Sequence, residues 1–390
     1  MSVTANQVGP GQRPGQGFGG EAPDLVFPDL VFMAAALALA RRGLGMVWPN
    51  PAVGCVLVRD RVVVGRGWTQ PGGRPHAETE ALKRAGTAAR GATAYVTLEP
   101  CSHHGKTAPC AEALIAAGVA RVVAACLDPD PRVCGAGIAR LRAAGLAVTT
   151  GVREAEACEL NQGFFLRVLE RRVLVTLKLA TSLDGRTATA TGASQWITGP
   201  EARARGQALR AEHDAILVGI GTALADDPEL TCRLPGLEPR SPLRLVLDSH
   251  ARLPLTSRLV QTARQTPVWL LTGNDADPER CSALAETGVE IVSVPAAIGG
   301  GLDLGAVLTV LADRGLTRVL VEGGSRVATA LLRARKVDRL EWFRSPMVIG
   351  GDGLPAVAGL EVAALSQACV VCDGVQVAVG RDWWESYRLN

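Results

Sequence analysis

The stretch His76-Ala77-Glu78, followed by Glu99-Pro100-Cys101 and then Pro109-Cys110, decides the fold of the first half of this chain. One imidazole and two thiols suit Zn²⁺, and three protein ligands keep a fourth position for water, as catalytic zinc requires. Glu78 lies at the start of a predicted helix, where its carboxylate can move protons without binding the metal. The stretch therefore predicts a catalytic zinc centre with His76, Cys101 and Cys110 as ligands and Glu78 as the catalytic acid and base.

The spacing of these residues resembles that of the zinc nucleoside deaminases, in which His-x-Glu and Pro-Cys...Cys supply the same parts. The common Pro-Cys-x-x-Cys is stretched here, because residues 102–109 separate the two thiols. The run from Thr97 to Thr107 resembles the deaminase half of the bifunctional riboflavin-biosynthesis deaminase/reductase family. That resemblance implies a cytidine-deaminase-like fold, and it implies pyrimidine and ribose-phosphate contacts from Asn50, His103, Lys106 and Thr107. Thr69 departs from the family pattern, since some relatives have a substrate-contacting histidine in this region.

A closed structural zinc site is the main alternative for these ligands. Such a site needs a fourth protein ligand, and His103 or His104 could supply it. Gly105 and Lys106, which follow, are more typical of a substrate loop, although Lys106 alone would be an ordinary surface lysine. Glu78 favours the catalytic interpretation.

Composition and charge favour small-molecule chemistry. The 390 residues suffice for two or three domains, and basic and acidic residues are interspersed with a formal net charge of +3. This pattern shows no footprint for nucleic acid or membrane. Ten scattered cysteines without a secretory leader indicate reduced thiols in the cytoplasm. The apolar run 30–40 is too short to span a bilayer and predicts a packed helix.

Alternating strands and helices predict an α/β protein with two domains. Residues 1–27, rich in Gly, Pro and Gln, predict a disordered extension. Residues 28–171 predict a three-layer α/β/α deaminase domain that ends in one helix from 152 to about 170. Residues 172–390 predict a second α/β domain, with buried strands at 173–179, 216–218, 243–247, 268–271, 290–294 and 318–321.

The second domain lacks a Gly-x-Gly-x-x-Gly segment after its first strand, so a standard dinucleotide-binding fingerprint is missing. It contains instead the runs Lys178–Arg186, Ser194–Thr198 and Val321–Ser325. These runs resemble the reductase half of the same family, whose fold is like that of dihydrofolate reductase. Gly323 and Gly324 precede a predicted helix and let backbone N–H groups approach a phosphate, which indicates a cradle for the diphosphate of NADPH.

The resemblance also assigns residues to this second site. It implies cofactor contacts at Ala180, Trp196, Thr222, Asp226, Ser249, Gly324, Ser325, Arg326, Val327, Ala328, Thr329 and Ala330, and substrate contacts at Ser194, Arg210, Leu230, Arg233 and Glu322. Arg210 and Arg233 can form forked, charge-assisted bonds to a ribose phosphate. Taken alone, Trp196 would be a core aromatic and Glu322 a helix cap, and Asp184-Gly185 is typical of a turn, so Asp184 is left out of the catalytic set.

The family implies an enzyme with two reactions. The first is zinc-dependent deamination of a diaminopyrimidinone ribosyl phosphate, with one zinc ion per domain, and the second is reduction of the ribosyl side chain to ribityl by NADPH. It also implies small phosphorylated pyrimidines as partners and a homo-oligomer, either a dimer or a tetramer. One alternative is a tRNA adenosine or cytidine deaminase fused to an unrelated domain; it predicts a basic surface and a short Cys-x-x-Cys, and the sequence shows neither. The other is a zinc-stabilised binding or regulatory module with an inactive reductase-like half.

Overall fold

We describe the protein from a computed structural model that covers residues 27–103, 108–131 and 133–389. The predicted N-terminal extension, apart from Phe27, lies outside the described residues. The same is true of two predicted substrate contacts, Lys106 and Thr107, and of the alternative zinc ligand His104.

The N-terminal half is a five-stranded sheet in the order β2-β1-β3-β4-β5. The hairpin β1–β2 and the pair β1–β3 are antiparallel, whereas β3, β4 and β5 are parallel. The strands are β1 Gly54–Arg59, β2 Val62–Trp68, β3 Thr93–Val96, β4 Arg121–Ala124 and β5 Ala147–Thr150, and the helices are α1 Phe27–Ala40, α2 Ala77–Ala85, α3 Cys110–Ala116, α4 Ala136–Ala143, α5 Glu154–Leu160 and α6 Gln162–Glu170.

The core of this half lies between the sheet and α1. Met33, Ala36, Leu37 and Ala40 lie on one face of α1 and are buried against the apolar residues of β1 and β3. The helix comes so close that a Cβ atom at Gly54 would lie 1.9 Å from the carbonyl oxygen of Ala36. The predicted packed helix is therefore confirmed, and it forms one layer of the domain.

The predicted single helix from 152 to about 170 is wrong, because the chain forms two helices, α5 and α6, that meet at Asn161. The buried Asn161 side chain binds the backbone of Ala52, accepting from its N–H at 2.9 Å and donating to its carbonyl at 3.0 Å. The break therefore fixes the segment just before β1.

The C-terminal half is built on a nine-stranded sheet in the order β11-β10-β9-β8-β12-β6-β13-β16-β15. The strands from β11 to β13 are parallel, and β16 and β15 complete the sheet in antiparallel orientation. The strands are β6 Leu174–Thr181, β8 Ala215–Gly219, β9 Leu243–Leu247, β10 Val268–Thr272, β11 Glu290–Ser293, β12 Arg318–Glu322, β13 Arg339–Arg344, β15 Val371–Val379 and β16 Asp382–Leu389, and β7 Arg186–Ala188 pairs with β14 Leu354–Pro355.

Helices cover both faces of this sheet, and their residues fill separate buried clusters on either side. They are α7 Pro200–Ala211, α8 Ile220–Asp226, α9 Arg258–Gln261, α10 Pro278–Glu286, α11 Leu304–Asp313 and α12 Ser325–Arg333. All six predicted strands are present, while β13, β15, β16 and the β7–β14 pair were not predicted. Among the described residues, no helix combines the length and apolar character needed to cross a bilayer.

The two halves are joined by hydrogen bonds that cross between them. Arg318 of β12 donates to the carbonyl of Leu160 at 2.6 Å, and Arg167 of α6 donates to the carbonyl of Ala312 at 2.9 Å. Arg240 reaches back to the carbonyl of Leu44 at 2.7 Å. Each contact places an arginine against the end of a helix or turn, where carbonyl groups lack a helical partner.

Candidate functional site: a metal centre and a separate cleft

The three predicted zinc ligands lie in three separate segments of the N-terminal half, and their side chains meet at one point. His76 is the residue that precedes α2, Cys101 lies in the loop after β3, and Cys110 is the first residue of α3. The sequence predicted both His76 and Glu78 in the first turn of this helix. Glu78 does lie there, whereas His76 lies just before the helix. Both thiols and the imidazole are close to helix starts, where the helix dipole favours negative charge on sulfur.

The geometry of these three side chains fits a zinc ion. The Nδ1 atom of His76 lies 3.3 Å from Sγ of Cys110 and 3.7 Å from Sγ of Cys101, and all three ligand atoms lie within 4.8 Å of one another. A tetrahedral zinc with ordinary bond lengths would separate a nitrogen and a sulfur ligand by about 3.6 Å. Among the described residues, this is the one group of three or more His, Cys, Asp or Glu side chains that could hold a metal ion. The group has three members, and no fourth described side chain joins it.

The electrostatics of the cluster favour a thiolate. A hydrogen bond from the Cys110 thiol, aided by His76 and by the backbone N–H of Cys110 at 3.3 Å, lowers the pKa of Cys101 to about 4 despite burial. Burial raises the pKa of Glu78 to about 7. A carboxyl group with a pKa near neutral pH can both accept and donate a proton there. The cluster therefore contains an anionic ligand and a buried carboxyl group that is not itself a ligand.

The structure also places the two described residues predicted to contact the deaminase substrate, Asn50 and His103, and the departing residue Thr69. Asn50 packs against Gly73, in the turn that leads to His76, since a Cβ atom at Gly73 would lie 1.9 Å from its Nδ2. His103 is exposed. Thr69 is buried, and its hydroxyl accepts from the N–H of Val53 at 3.0 Å and donates to the carbonyl of Pro51 at 3.2 Å. Thr69 therefore ties the start of β1 to the end of β2.

A cleft of about 630 Å³ lies in the C-terminal half, beside the carboxyl ends of β6 and β12. Ligands of open α/β sheets bind at such ends. Eight of the predicted reductase residues line the cleft, namely Ala180, Ser194, Trp196, Arg210, Asp226, Leu230, Arg233 and Glu322. The lining contains five basic and three acidic side chains, an excess that suits an anionic ligand.

The remaining predicted cofactor residues cluster at the start of α12, with Ser249 on the turn after β9. Gly323 and Gly324 have φ angles of +102° and +77°, and a Cβ atom on either would lie 3.0–3.2 Å from the Thr222 side chain. Glycine is therefore required where the chain turns from β12 into the helix. Ala328 and Thr329 are buried, so their side chains pack against the protein, whereas Arg326 and Ala330 are exposed.

Arg210 and Glu322 do not face the cleft independently. Arg210 donates Nε and Nη2 to the two carboxylate oxygens of Glu322 at 2.8 and 2.9 Å, and Nη1 to the carbonyl of Thr231 at 2.9 Å. The Nε–Nη2 edge of Arg210 is thus bound to Glu322, and the predicted forked bond from Arg210 to a phosphate stays a prediction. Arg233 is exposed and forms a longer ion pair with Glu229 at 3.5 Å, so its guanidinium is more available.

Lys178 is a cleft residue that the sequence analysis did not assign. Its Nζ lies 3.7 Å from Oε2 of Glu322, in a strand whose neighbouring side chains are buried and apolar. Burial alone would raise the pKa of Glu322, but Arg210 and Lys178 lower it to about 2. The signal in the sequence was a single lysine within the apolar run 173–179. Arg203, Gln207 and Arg258 also line the cleft without having been assigned.

Asp184 behaves as the turn residue it resembled. Its carboxylate accepts from the Ser182 hydroxyl at 2.6 Å and from the N–H groups of Ile349 and Gly350 at 3.1 and 2.8 Å. The hydrogen bond from Ser182, with those from the two backbone groups, lowers the pKa of Asp184 to about 2. Asp184 therefore fastens two loops together and is not among the residues that line the cleft.

Comparison with known proteins gives matches over both halves. Residues 28–126 match the family model of the cytidine and deoxycytidylate deaminase zinc-binding region, and residues 173–377 match that of the RibD C-terminal domain. The riboflavin biosynthesis protein RibD of Escherichia coli K12 is 46% identical over 349 residues, which are 86% of this chain and 93% of that protein. RibD of Aquifex aeolicus is 40% identical over 343 residues, or 88% and 93% of the two chains.

Solved structures agree with these matches. Acinetobacter baumannii RibD, form 2, superposes with a TM-score of 0.82 at 36% identity over 93% of this chain and 99% of that one. A deaminase/reductase from Thermotoga maritima gives a TM-score of 0.80 at 34% identity, with the same coverage. The predicted fold class, a cytidine-deaminase-like domain followed by a reductase domain like dihydrofolate reductase, is confirmed.

Proposed function

This chain belongs to the family of RibD, the bifunctional deaminase and reductase of riboflavin biosynthesis, and we propose from that premise how its residues divide the two reactions. The protein is an enzyme with a zinc-binding deaminase domain and a reductase domain. We place the first domain at 28–171 and the second at 172–390. The change from the five-stranded to the nine-stranded sheet between β5 and β6 supports this boundary.

In the deaminase domain, His76, Cys101 and Cys110 would hold one zinc ion per chain. When bound, this ion would supply Lewis acidity, which makes water more acidic. Glu78 takes a proton from the attacking water and passes it to the amino group that leaves the diaminopyrimidinone ring. The buried position of Glu78 beside the three ligands is the single observation that carries this assignment.

Asn50, His103, Lys106 and Thr107 are proposed to bind the pyrimidine and its ribose phosphate. Asn50 lies beside the turn that leads to His76, which supports a role near the metal. His103 is exposed and is thus accessible to a ligand. Lys106 would contribute positive charge for the phosphate, as the family resemblance implies.

In the reductase domain, NADPH supplies the hydride that converts the ribosyl side chain to ribityl. The glycine pair before α12, with Thr222 against it, is proposed to receive the diphosphate together with Ser325 and Arg326. Ala180, Trp196, Asp226 and Ser249, with the helix segment Val327, Ala328, Thr329 and Ala330, complete the proposed cofactor site. Because Ala328 and Thr329 are buried, they contribute to this site through the helix backbone and its packing.

The substrate would occupy the cleft lined by Ser194, Arg210, Leu230, Arg233 and Glu322. Arg233 is proposed to bind the phosphate, because its guanidinium is exposed in a cleft with an excess of basic groups. Lys178, held by Glu322, is the ammonium group that lies at the carboxyl end of β6 and can give a proton to the sugar as it is reduced. Arg210 keeps Glu322 ionised and in place.

Product analysis tests the proposed reactions directly. The purified protein is incubated with the diaminopyrimidinone ribosyl phosphate, with and without NADPH, and the products are identified by mass. We expect ammonia and the deaminated pyrimidine without NADPH, and the ribityl product when NADPH is added. A binding module with an inactive second half would give neither product, and a nucleic-acid deaminase would leave this substrate unchanged.

We also propose that copies of the chain associate through the ribbon β15–β16. The strand β15 is the edge of the nine-stranded sheet, and most of its residues are exposed, including Val375 and Val377 at 54% and 41%. An exposed apolar edge strand is an open template for pairing with another chain. A second copy is therefore the proposed occupant, and the dimer or tetramer is measured by light scattering.

The proposed compartment is the cytoplasm. All ten cysteines are free thiols in the structure, including the buried Cys55 and Cys126. Free thiols persist where reducing systems keep them reduced. Fractionation of cells that express the protein tests this placement.

A further inference from the structure

Glu99, the residue two before the proposed ligand Cys101, is buried with 3% of its surface exposed. Its carboxylate accepts four backbone hydrogen bonds. Oε2 accepts from the N–H of Asp128 at 3.2 Å and of Gly135 at 2.9 Å, and Oε1 accepts from Gly137 at 2.8 Å and Ile138 at 3.2 Å. Full satisfaction of a buried carboxylate by backbone donors makes a rigid and specific contact.

These four donors belong to the loop that follows β4 and to the first turn of α4. The approach is close, because a Cβ atom at Gly137 would lie 2.0 Å from the carbonyl oxygen of Pro100. The start of α4 thus packs directly on the peptide that precedes Cys101. The negative charge of Glu99 also lies at the positive end of that helix, which stabilises the arrangement.

The helix α4 also contacts the segment that carries the other thiol. Arg140 of α4 donates to Glu112 of α3 at 2.5 Å, and the N–H of Ala111 donates to the carbonyl of Cys101 at 3.1 Å. The Cys101 segment is therefore held by Glu99 on one side and by the start of α3 on the other. Loss of the Glu99 contacts would free one side of the ligand.

We propose that Glu99 is a positioning residue that sets the place of Cys101 relative to His76 and Cys110 by clamping the start of α4. The inference rests on the proposed deaminase function. Residues that hold metal ligands in place commonly change metal affinity or activity by about 10- to 100-fold when they are altered. Glu99 contributes in this way without touching the metal or the substrate.

The test uses Glu99→Gln in the full-length protein, with Co²⁺ as a spectroscopic probe of the metal-free site. The amide nitrogen cannot accept a hydrogen bond, so two of the four N–H groups lose their acceptor. We expect Co²⁺ affinity, read from the thiolate-to-metal absorption, to fall by about 10- to 100-fold. We also expect the deaminase kcat to fall with little change in KM, while the reductase activity of the same preparation stays at the wild-type level.

Glu156→Gln is the matched control, because Glu156 pairs with Arg153 at the surface of the same domain. It should leave both Co²⁺ binding and the two activities unchanged. Gly137→Ala is the second variant, since its new methyl group presses on Pro100 without altering any charge. It should weaken Co²⁺ binding as Glu99→Gln does, again with normal reductase activity.

Wild-type Co²⁺ affinity in both Glu99→Gln and Gly137→Ala would overturn the inference and leave the proposed function standing. Equal loss of reductase activity in Glu99→Gln would also overturn it, because Glu99 would then be a general stabiliser. If the wild-type protein itself gave no thiolate-to-Co²⁺ absorption, the proposed metal centre would fail, and the role of Glu99 would fail with it.

Discussion

The metal centre and the reductase cleft are assembled in opposite ways. The proposed ligands His76, Cys101 and Cys110 and the carboxyl of Glu78 fall within one short stretch, which two helix starts and one strand bring together. The cleft takes its lining from residues between Lys178 and Glu322, which lie on several strands, helices and loops. A metal requires a few ligand atoms at fixed separations, whereas a large anionic ligand is bound by charge and shape distributed over a wide surface. One site therefore depends on single atoms and the other on a network.

The largest effect is expected on deamination when the carboxyl group of Glu78 is altered. Glu78→Gln should lower deamination by about 10²- to 10⁴-fold, because an amide cannot carry the proton from water to the leaving amine. Zinc content should stay at the wild-type level, since Glu78 is not a ligand, and reduction of supplied deaminated substrate should continue. Ammonia release and metal analysis measure the two quantities. Ammonia release at the wild-type rate would show that the proton shuttle is another group.

In the cleft, the charged network of Arg210, Glu322 and Lys178 should stabilise the domain to an extent that depends on pH. The pKa of Glu322 is lowered to about 2 from an ordinary value of 4.5, so its stabilising contribution is present above pH 4.5 and is lost as the pH falls toward 2. Glu322→Gln leaves Arg210 and Lys178 without their counter-charge and should cost about 3–5 kcal/mol at pH 7. The difference from wild type should shrink below pH 4.5. Urea unfolding at several pH values measures it.

Glu361→Gln is the control for this prediction. Glu361 pairs with Arg333 at the surface, where such a pair contributes little, so the variant should differ from wild type by less than about 1 kcal/mol. Equal stability of Glu322→Gln and Glu361→Gln at pH 7 would show that the Arg210–Glu322–Lys178 network does not stabilise the domain.

A smaller effect is expected for a cleft residue outside the network. Arg233→Ala removes an exposed guanidinium and leaves no buried charge unpaired. Loss of charge-assisted hydrogen bonds to the phosphate should raise the reductase KM for substrate by about 10- to 100-fold, with NADPH affinity and unfolding nearly unchanged. Steady-state kinetics measure this. A rise in the KM for NADPH instead would place the cofactor, and not the substrate phosphate, at Arg233.

The smallest effect on either reaction is expected at the edge strand. Replacing Val375 and Val377 by Lys should weaken self-association, because burying a valine side chain contributes roughly 1–2 kcal/mol and lysines on an edge oppose pairing. The matched control is Val62→Lys, an exposed valine of β2 in the other domain. Light scattering over a range of concentrations should show dissociation in the first variant alone. Unchanged association in the Val375/Val377 variant would contradict the proposed interface.

Much of the fold followed from local patterns, and the exceptions have physical causes. Buried parallel strands such as β10 are nearly continuous apolar runs with clear ends, so their positions were predicted closely. The ribbon β15–β16 was missed; seven of the nine residues of β15 are exposed, so this strand lacks the buried apolar face from which the other strands were predicted. The break at Asn161 was missed, and the Asn161 side chain contacts Ala52, more than a hundred residues earlier in the chain, which no local pattern reveals.

The sequence by itself determined the candidate metal centre, because the potential ligand types, their spacing and the nearby carboxylate are properties of a short stretch of chain. Only the tertiary structure decided how the cleft divides its charges. It paired Arg210 with Glu322 and placed Lys178 beside the same carboxylate. Charged side chains find partners by proximity in space, and for residues far apart along the chain that proximity is fixed by strand order and packing.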